Sequence, residues 1–333
     1  MLKVKDQEQI AAEAGDVQEL SMLSRKDLLD TDTLSRAEVN LILDQAEQMR
    51  ELRTRQHGKV ATLRGSTIFT LFYEQSTRTR ASFEVAGKAM GADVVNIAAS
   101  SSSVAKGESL IDTVRTLEAI GADAIIVRHG SSGAPYVAAR NTKAHVINGG
   151  DGMHAHPTQA LLDLFTMRRH LGSLKGKKVA IIGDIRHSRV ARSNVWLLQQ
   201  EGVELTLCGP ATLLPRTLGE NGQHAGPVVT TNIEEAIDGA DVVMALRIQK
   251  ERQQGGLIPS LRDYISGYQI NGERMAMARP GALLLHPGPR NEGVEVTAEV
   301  AQGNQSVIED QVTNGVAVRM AILFLMMARS AQE

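Results

Sequence analysis

A single cysteine, Cys208, occurs in 333 residues. The chain can therefore close no internal disulfide and cannot build a thiolate metal cage on its own, and a cytoplasmic setting is the simplest reading. Charge of one sign is equally scarce. There are 36 Lys and Arg against 38 Asp and Glu, a net charge of -2, so no global field draws in nucleic acid or an anionic membrane. Any basic site must be local. Long hydrophobic runs are missing too. The first twenty residues carry Lys3, Lys5, Asp6, Glu8, Glu13 and Asp16 and no signal-peptide core, and they read as an N-terminal extension, 1–20. The most apolar stretch, 316–328, is interrupted by Arg319 and falls short of the about 20 apolar residues that a bilayer requires. It reads as a buried helix. No internal repeat is present, and the one low-complexity patch is the serine run 100–103.

What is present is ordinary for a globular protein: 42% hydrophobic and 22% charged residues, which exclude disordered and collagen-like classes. The length suits two domains. Short apolar runs alternate with helical patterns, and the spacing predicts parallel strands at 67–73, 124–128, 144–148, 178–182, 204–208, 242–246 and 282–286. Each is followed by polar, Gly-rich or Pro-rich residues. The expected fold is α/β, two doubly wound parallel-sheet domains joined by interdomain helices, with ligands at the carboxyl ends of the strands. The boundary falls in 156–172, where Pro157 suits a helix start and Ala160, Leu161, Leu164, Phe165 and Met167 form a packing face. A last helix at 307–328 would pack back on the first domain.

The segment Glu74-Gln75-Ser76-Thr77-Arg78-Thr79-Arg80 lies between an apolar strand and a helical run that stops at Gly91. Ser76 and Thr77 can cap that helix, whose N–H groups and dipole favour an anion, and Arg78 adds a bidentate fork. A phosphate would fit. An ordinary cap flanked by solvated arginines would give the same pattern. The segment is not a Gly-rich Walker loop. A dinucleotide-binding oxidoreductase is a second reading, since Val179-Ala180-Ile181-Ile182-Gly183-Asp184 looks like a first Rossmann strand. Its turn continues Asp184-Ile185-Arg186 and lacks the glycines that let a pyrophosphate approach.

Ser76-Thr77-Arg78-Thr79-Arg80 after an apolar strand resembles the carbamoyl-phosphate signature of the transcarbamoylases. His156-Pro157-Thr158-Gln159-Ala160-Leu161-Leu162-Asp163 is similar to the second family motif. Arg247-Ile248-Gln249-Lys250-Glu251-Arg252 and His286-Pro287-Gly288-Pro289 resemble the loops of the branch that uses aspartate; the branch that uses ornithine carries a cysteine in the latter loop. The resemblance runs from residue 20 to the C-terminus. It implies carbamoyl transfer from carbamoyl phosphate to L-aspartate, on the route to pyrimidines. It also implies a carbamoyl-phosphate-binding domain of 21–156 plus 307–333 and an aspartate-binding domain of 157–306.

By motif match, Ser76, Thr77, Arg78 and Thr79 would hold the phosphate, Thr79, Arg128 and His156 would converge on the carbonyl oxygen, and Gln159 would bind the carbamoyl amide. Arg189, Arg247 and Gln249 would bind the carboxylates of aspartate, with Glu74 pairing Arg189 and Arg247, and Gly288 and Pro289 would offer backbone carbonyls to the amine. The serine-rich segment with Lys106-Gly107-Glu108 reads by composition as a flexible loop. In the family it reaches the neighbouring subunit's site, which implies a homotrimer with shared active sites and contacts from Ser102, or Ser103, and Lys106. Regulatory or dihydroorotase-like chains are further partners that the family allows. The departing phosphate would take the amine's proton, so neither a dedicated base, a cofactor nor a metal is expected. His154 and His156 have no Cys or carboxylate at ligand spacing. A catalytically silent binding subunit is disfavoured because Arg78, His156 and Arg247 are all present, and transfer to an acylated amino acid is disfavoured by Arg247 and Gln249.

Overall fold

The computed structural model describes residues 22–54, 60–98, 107–215, 218, 226–249, 257 and 260–327. Among these, two parallel sheets form. The first has the order β2-β1-β3-β4, from β1 (Thr67–Phe72), β2 (Asp93–Ala98), β3 (Ala124–His129) and β4 (His145–Asp151). The second has the order β7-β6-β5-β8-β9, from β5 (Lys178–Ile182), β6 (Glu204–Cys208), β7 (Val228–Thr230), β8 (Val242–Ala245) and β9 (Leu283–Leu285). Each strand pair is parallel, as the doubly wound reading requires.

The central strands are covered by helices on both faces, so their sequences run apolar without alternation, as in Thr67–Phe72 and Val242–Ala245. The edges look different. β2 reads Asp-Val-Val-Asn-Ile-Ala and is largely exposed, and β7 is three residues with two exposed valines. Neither was expected from the sequence, because an edge strand with one open face lacks the continuous apolar run. β4 extends beyond 148 to Asp151 through Gly149 and Gly150, next to a register shift between Val127 and His129. This carries the end of β4 toward the cleft.

The helices begin where short polar side chains can cap them. Ser76 accepts from Thr79, Ser109 from Asp112 and Ser188 from Ala191, which starts helices Thr77–Ala89, Leu110–Ile120 and Arg189–Gln200. Pro157 opens the helix Pro157–Leu171, whose first eleven residues are all buried. The last helix, Ile308–Met327, is mostly polar up to Thr313, is buried nearly all round from Asn314 on, and packs on Arg36–Thr54, Thr77–Ala89 and Pro157–Leu171. The chain thus leaves the second sheet and returns to the first. No helix among the described residues is long and apolar enough to cross a membrane.

Candidate active site

Strand order reverses between β1 and β3 in one sheet and between β5 and β8 in the other. Loops diverge at such points and leave a crevice beyond the carboxyl ends of the strands. Here the two crevices open into one cleft of about 910 Å3. Every described residue expected at the site lines it. Ser76, Thr77, Arg78 and Thr79 follow β1, and Arg128 ends β3. His156 and Gln159 open the helix Pro157–Leu171. Arg189 follows β5, Arg247 and Gln249 follow β8, and Gly288 and Pro289 follow β9. Ser102, Ser103 and Lys106 lie outside the described residues, as does the extension 1–20.

The first wall has the chemistry of an anion cradle. Ser76 Oγ takes the N–H of Thr79 at 3.3 Å, while the earliest N–H groups of that helix have no carbonyl within it to bond. No acidic residue sits in the first turn to occupy the dipole. Burial and then the charge of Arg290 lower the pKa of Arg78, the response of a cation short of counter-charge. His286 behaves in the same sense. Burial, then Arg290, Arg78 and Arg247, push it down to about 3, so it stays neutral while its Nδ1 accepts the N–H of Gly288.

Across the cleft, Arg189 is 5% exposed and donates to Glu74 Oε2 at 2.8 Å and to the Gly152 carbonyl at 3.3 Å. Arg128 donates to the Gly149 carbonyl at 3.0 Å, and its Nε lies 3.7 Å from the same Glu74 oxygen. Glu74 thus spaces two guanidiniums supplied by different sheets. Gly150 stands between them: a Cβ there would lie 2.9 Å from both Arg128 Nη1 and Arg189 Nε. The expected pairing of Glu74 with Arg189 is present.

Behind these groups lies buried polar structure that the motifs alone did not reveal. Asp163 is fully buried and accepts from Gln159 Nε2 at 2.9 Å, Gln311 Nε2 at 2.7 Å and Asn194 Nδ2 at 2.9 Å. Burial raises it to about 6 against the opposing pull of the three amides and Arg319. Arg319 itself lines the cleft at 4% exposure, lowered to about 10 by burial. Asp184 accepts from the backbone of Gln249 and from His187. Glu295, 1% exposed, accepts from the Ile248 N–H at 3.1 Å and also holds Asn291. The available signal was charge inside apolar segments: Asp163 four residues after Gln159, and Arg319 within the most apolar run. Among the described residues no group of three or more His, Cys, Asp or Glu is placed to hold a metal.

Two parallel-sheet α/β domains whose switch points open on one cation-rich cleft are the architecture of a two-domain enzyme that binds anionic groups at the carboxyl ends of its strands. The chain belongs to the aspartate/ornithine carbamoyltransferase family: residues 26–169 match its carbamoyl-P binding domain and residues 175–326 its Asp/Orn binding domain. It is 57% identical over 304 residues to the aspartate carbamoyltransferase catalytic subunit of Moorella thermoacetica, covering 91% of this chain and 98% of that one. The corresponding subunit of Heliobacterium modesticaldum is 56% identical over 305 residues, covering 92% and 96%. Among solved structures, aspartate transcarbamoylase from Trypanosoma cruzi in complex with N-(phosphonacetyl)-L-aspartic acid superposes with a TM-score of 0.84 at 30% identity, covering 94% of this chain and 100% of that one.

Proposed function

We propose that this chain transfers the carbamoyl group of carbamoyl phosphate to the amine of L-aspartate, giving N-carbamoyl-L-aspartate and phosphate in pyrimidine synthesis. The observation that carries this reading is that the helix start after β1, Arg189 and Arg247 line one cleft, together with Arg128 and His156. In this reading the helix start at Ser76, Thr77, Arg78 and Thr79 binds the phosphate. Thr79, Arg128 and His156 polarise the carbonyl oxygen on which charge develops. Arg189, Arg247 and Gln249 hold the two carboxylates of aspartate, and the carbonyls of Gly288 and Pro289 orient its amine. The C–N bond forms as the C–O bond to phosphate breaks, and the departing phosphate takes the amine's proton. Proximity does much of the work, since two anions that repel in water are brought to reacting distance.

The same reading supplies Ser102 and Lys106 from a neighbouring subunit, in a cytoplasmic homotrimer that regulatory or dihydroorotase-like chains could join. It also assigns the residues of the first sheet and the last helix to carbamoyl phosphate and those of the second sheet to aspartate. The test is a transfer assay with labelled carbamoyl phosphate and a panel of amines. Aspartate should be carbamoylated and ornithine left unmodified; transfer to ornithine but not aspartate would overturn the assignment.

A further inference from the structure

We propose that Asp163 is a positioning residue that sets the polarity of the cleft: by accepting from three side-chain amides at once, it obliges Gln159 to present a hydrogen-bond acceptor to the NH2 of the carbamoyl group. The inference rests on the functional reading above and deepens it.

An ionised carboxylate accepts hydrogen bonds and donates none, so every amide that touches it must turn its NH2 inward. All three do. Gln159 and Gln311 reach Oδ1, and Asn194 reaches Oδ2. The far end of each amide is then determined. Gln311 directs its Oε1 to the backbone N–H of His286 at 2.9 Å, the start of the loop that carries Gly288 and Pro289. Asn194, with its Nδ2 shared between Asp163 and the Val190 carbonyl, leaves Oδ1 buried without a partner among the described residues. Gln159 is left with Oε1 as the polar atom it can offer to the cleft it lines. A carbamoyl NH2 has donors and no useful acceptor, so it requires an oxygen at that point. A glutamine alone would not guarantee one, because its two ends are nearly identical in shape. The carboxylate one helical turn later removes the ambiguity, since residues i and i+4 lie on one helix face.

Binding of carbamoyl phosphate is compared with binding of acetyl phosphate, which keeps the carbonyl and phosphate but carries CH3 in place of NH2. The wild-type chain should favour carbamoyl phosphate by about tenfold or more, the worth of a buried donor meeting its acceptor. In Asp163→Asn the new amide meets the NH2 of Asn194, which the Val190 carbonyl holds in place, and turns its oxygen there. Its NH2 then faces Gln159 and Gln311, Gln159 is no longer obliged to present Oε1, and the preference should fall toward parity while acetyl phosphate binds as before. The exchange Asp163→Asn with Asn194→Asp should restore it, because the amide at position 163 can then donate to the carboxylate at 194 and turn its oxygen back to Gln159 and Gln311. Equal binding of the two ligands by the wild-type chain overturns the proposal without any variant. So does an equal weakening of both in Asp163→Asn, which is the mark of a structural role. Failure of the wild-type chain to bind carbamoyl phosphate at all removes the functional reading and the proposal with it, whereas tight binding with an unchanged preference in Asp163→Asn removes the proposal alone.

Discussion

Arg78 and Gly288 come from different sheets and meet face to face: a Cβ at 288 would stand 2.6 Å from both Cζ and Nη1 of the guanidinium. Gly288 also has φ of 63°, a conformation that side chains disfavour. Glycine at this position therefore lets the loop after β9 pack against the arginine of the proposed phosphate cradle without displacing it. In Gly288→Ala the flexible guanidinium would give way before the backbone, so the chain should still fold but grip phosphate poorly. We expect the KM for carbamoyl phosphate to rise by tenfold or more, about 1.4 kcal/mol of binding, with a smaller change in the KM for aspartate. Isothermal titration with inorganic phosphate checks the same point without turnover. Unaltered phosphate affinity would show that Arg78 has room to spare.

At the scale of elements, the two sheets repeat one device. Asp123, just before β3, accepts from the backbone of Thr67 at the start of β1, and Asp241, just before β8, accepts from Lys178 at the start of β5. In both sheets a carboxylate thus pins the two strands that flank the switch point at the end away from the cleft. The opposite ends are held by different means. Glu295 fastens the Ile248 N–H, between Arg247 and Gln249, to the turn containing Asn291. Removing that carboxylate leaves a buried N–H without a partner, a loss of about 1 to 3 kcal/mol. Glu295→Ala should accordingly raise the KM for aspartate by tenfold or more, with a smaller loss of phosphate affinity passed through the Asn291 turn toward Gly288; equal losses at both would point to general unfolding. Such ties mark the limit of what the sequence conveys. The strands that stack apolar residues, the Ser76 and Ser188 caps and the motif at His156 are local patterns and can be read directly. Glu295 acts across 47 residues on a backbone group, and Asp163 joins Gln311 across 148, so their partners depend on how the two sheets are turned toward each other. The edge strands β2 and β7 were illegible for the converse reason: little of either is buried.

For the whole molecule, the question is whether the cleft is complete within one chain. The family reading places Ser102 and Lys106 in the site of the adjacent subunit, which in a closed ring gives each site one loop from its neighbour. Subunit mixing decides this without a structure of the assembly. In the proposed homotrimer, rings of Lys106→Ala alone and of Arg78→Ala alone should each be nearly inactive, the second by about 3 kcal/mol of transition-state stabilisation. In a mixed ring, a site is intact where a subunit with normal Arg78 receives the loop of a neighbour with normal Lys106. Going once round any ring that contains both kinds of subunit, that junction occurs once. Dissociating equal amounts of the two variants and letting them reassemble at random makes about three in four rings mixed, so about a quarter of wild-type activity should return. A site built wholly within one chain would carry one lesion in every subunit whatever its neighbours, and mixing would restore nothing. Recovery that rises and falls with the proportion of the two variants, highest at equal amounts, would identify shared sites rather than a trace of contaminating enzyme.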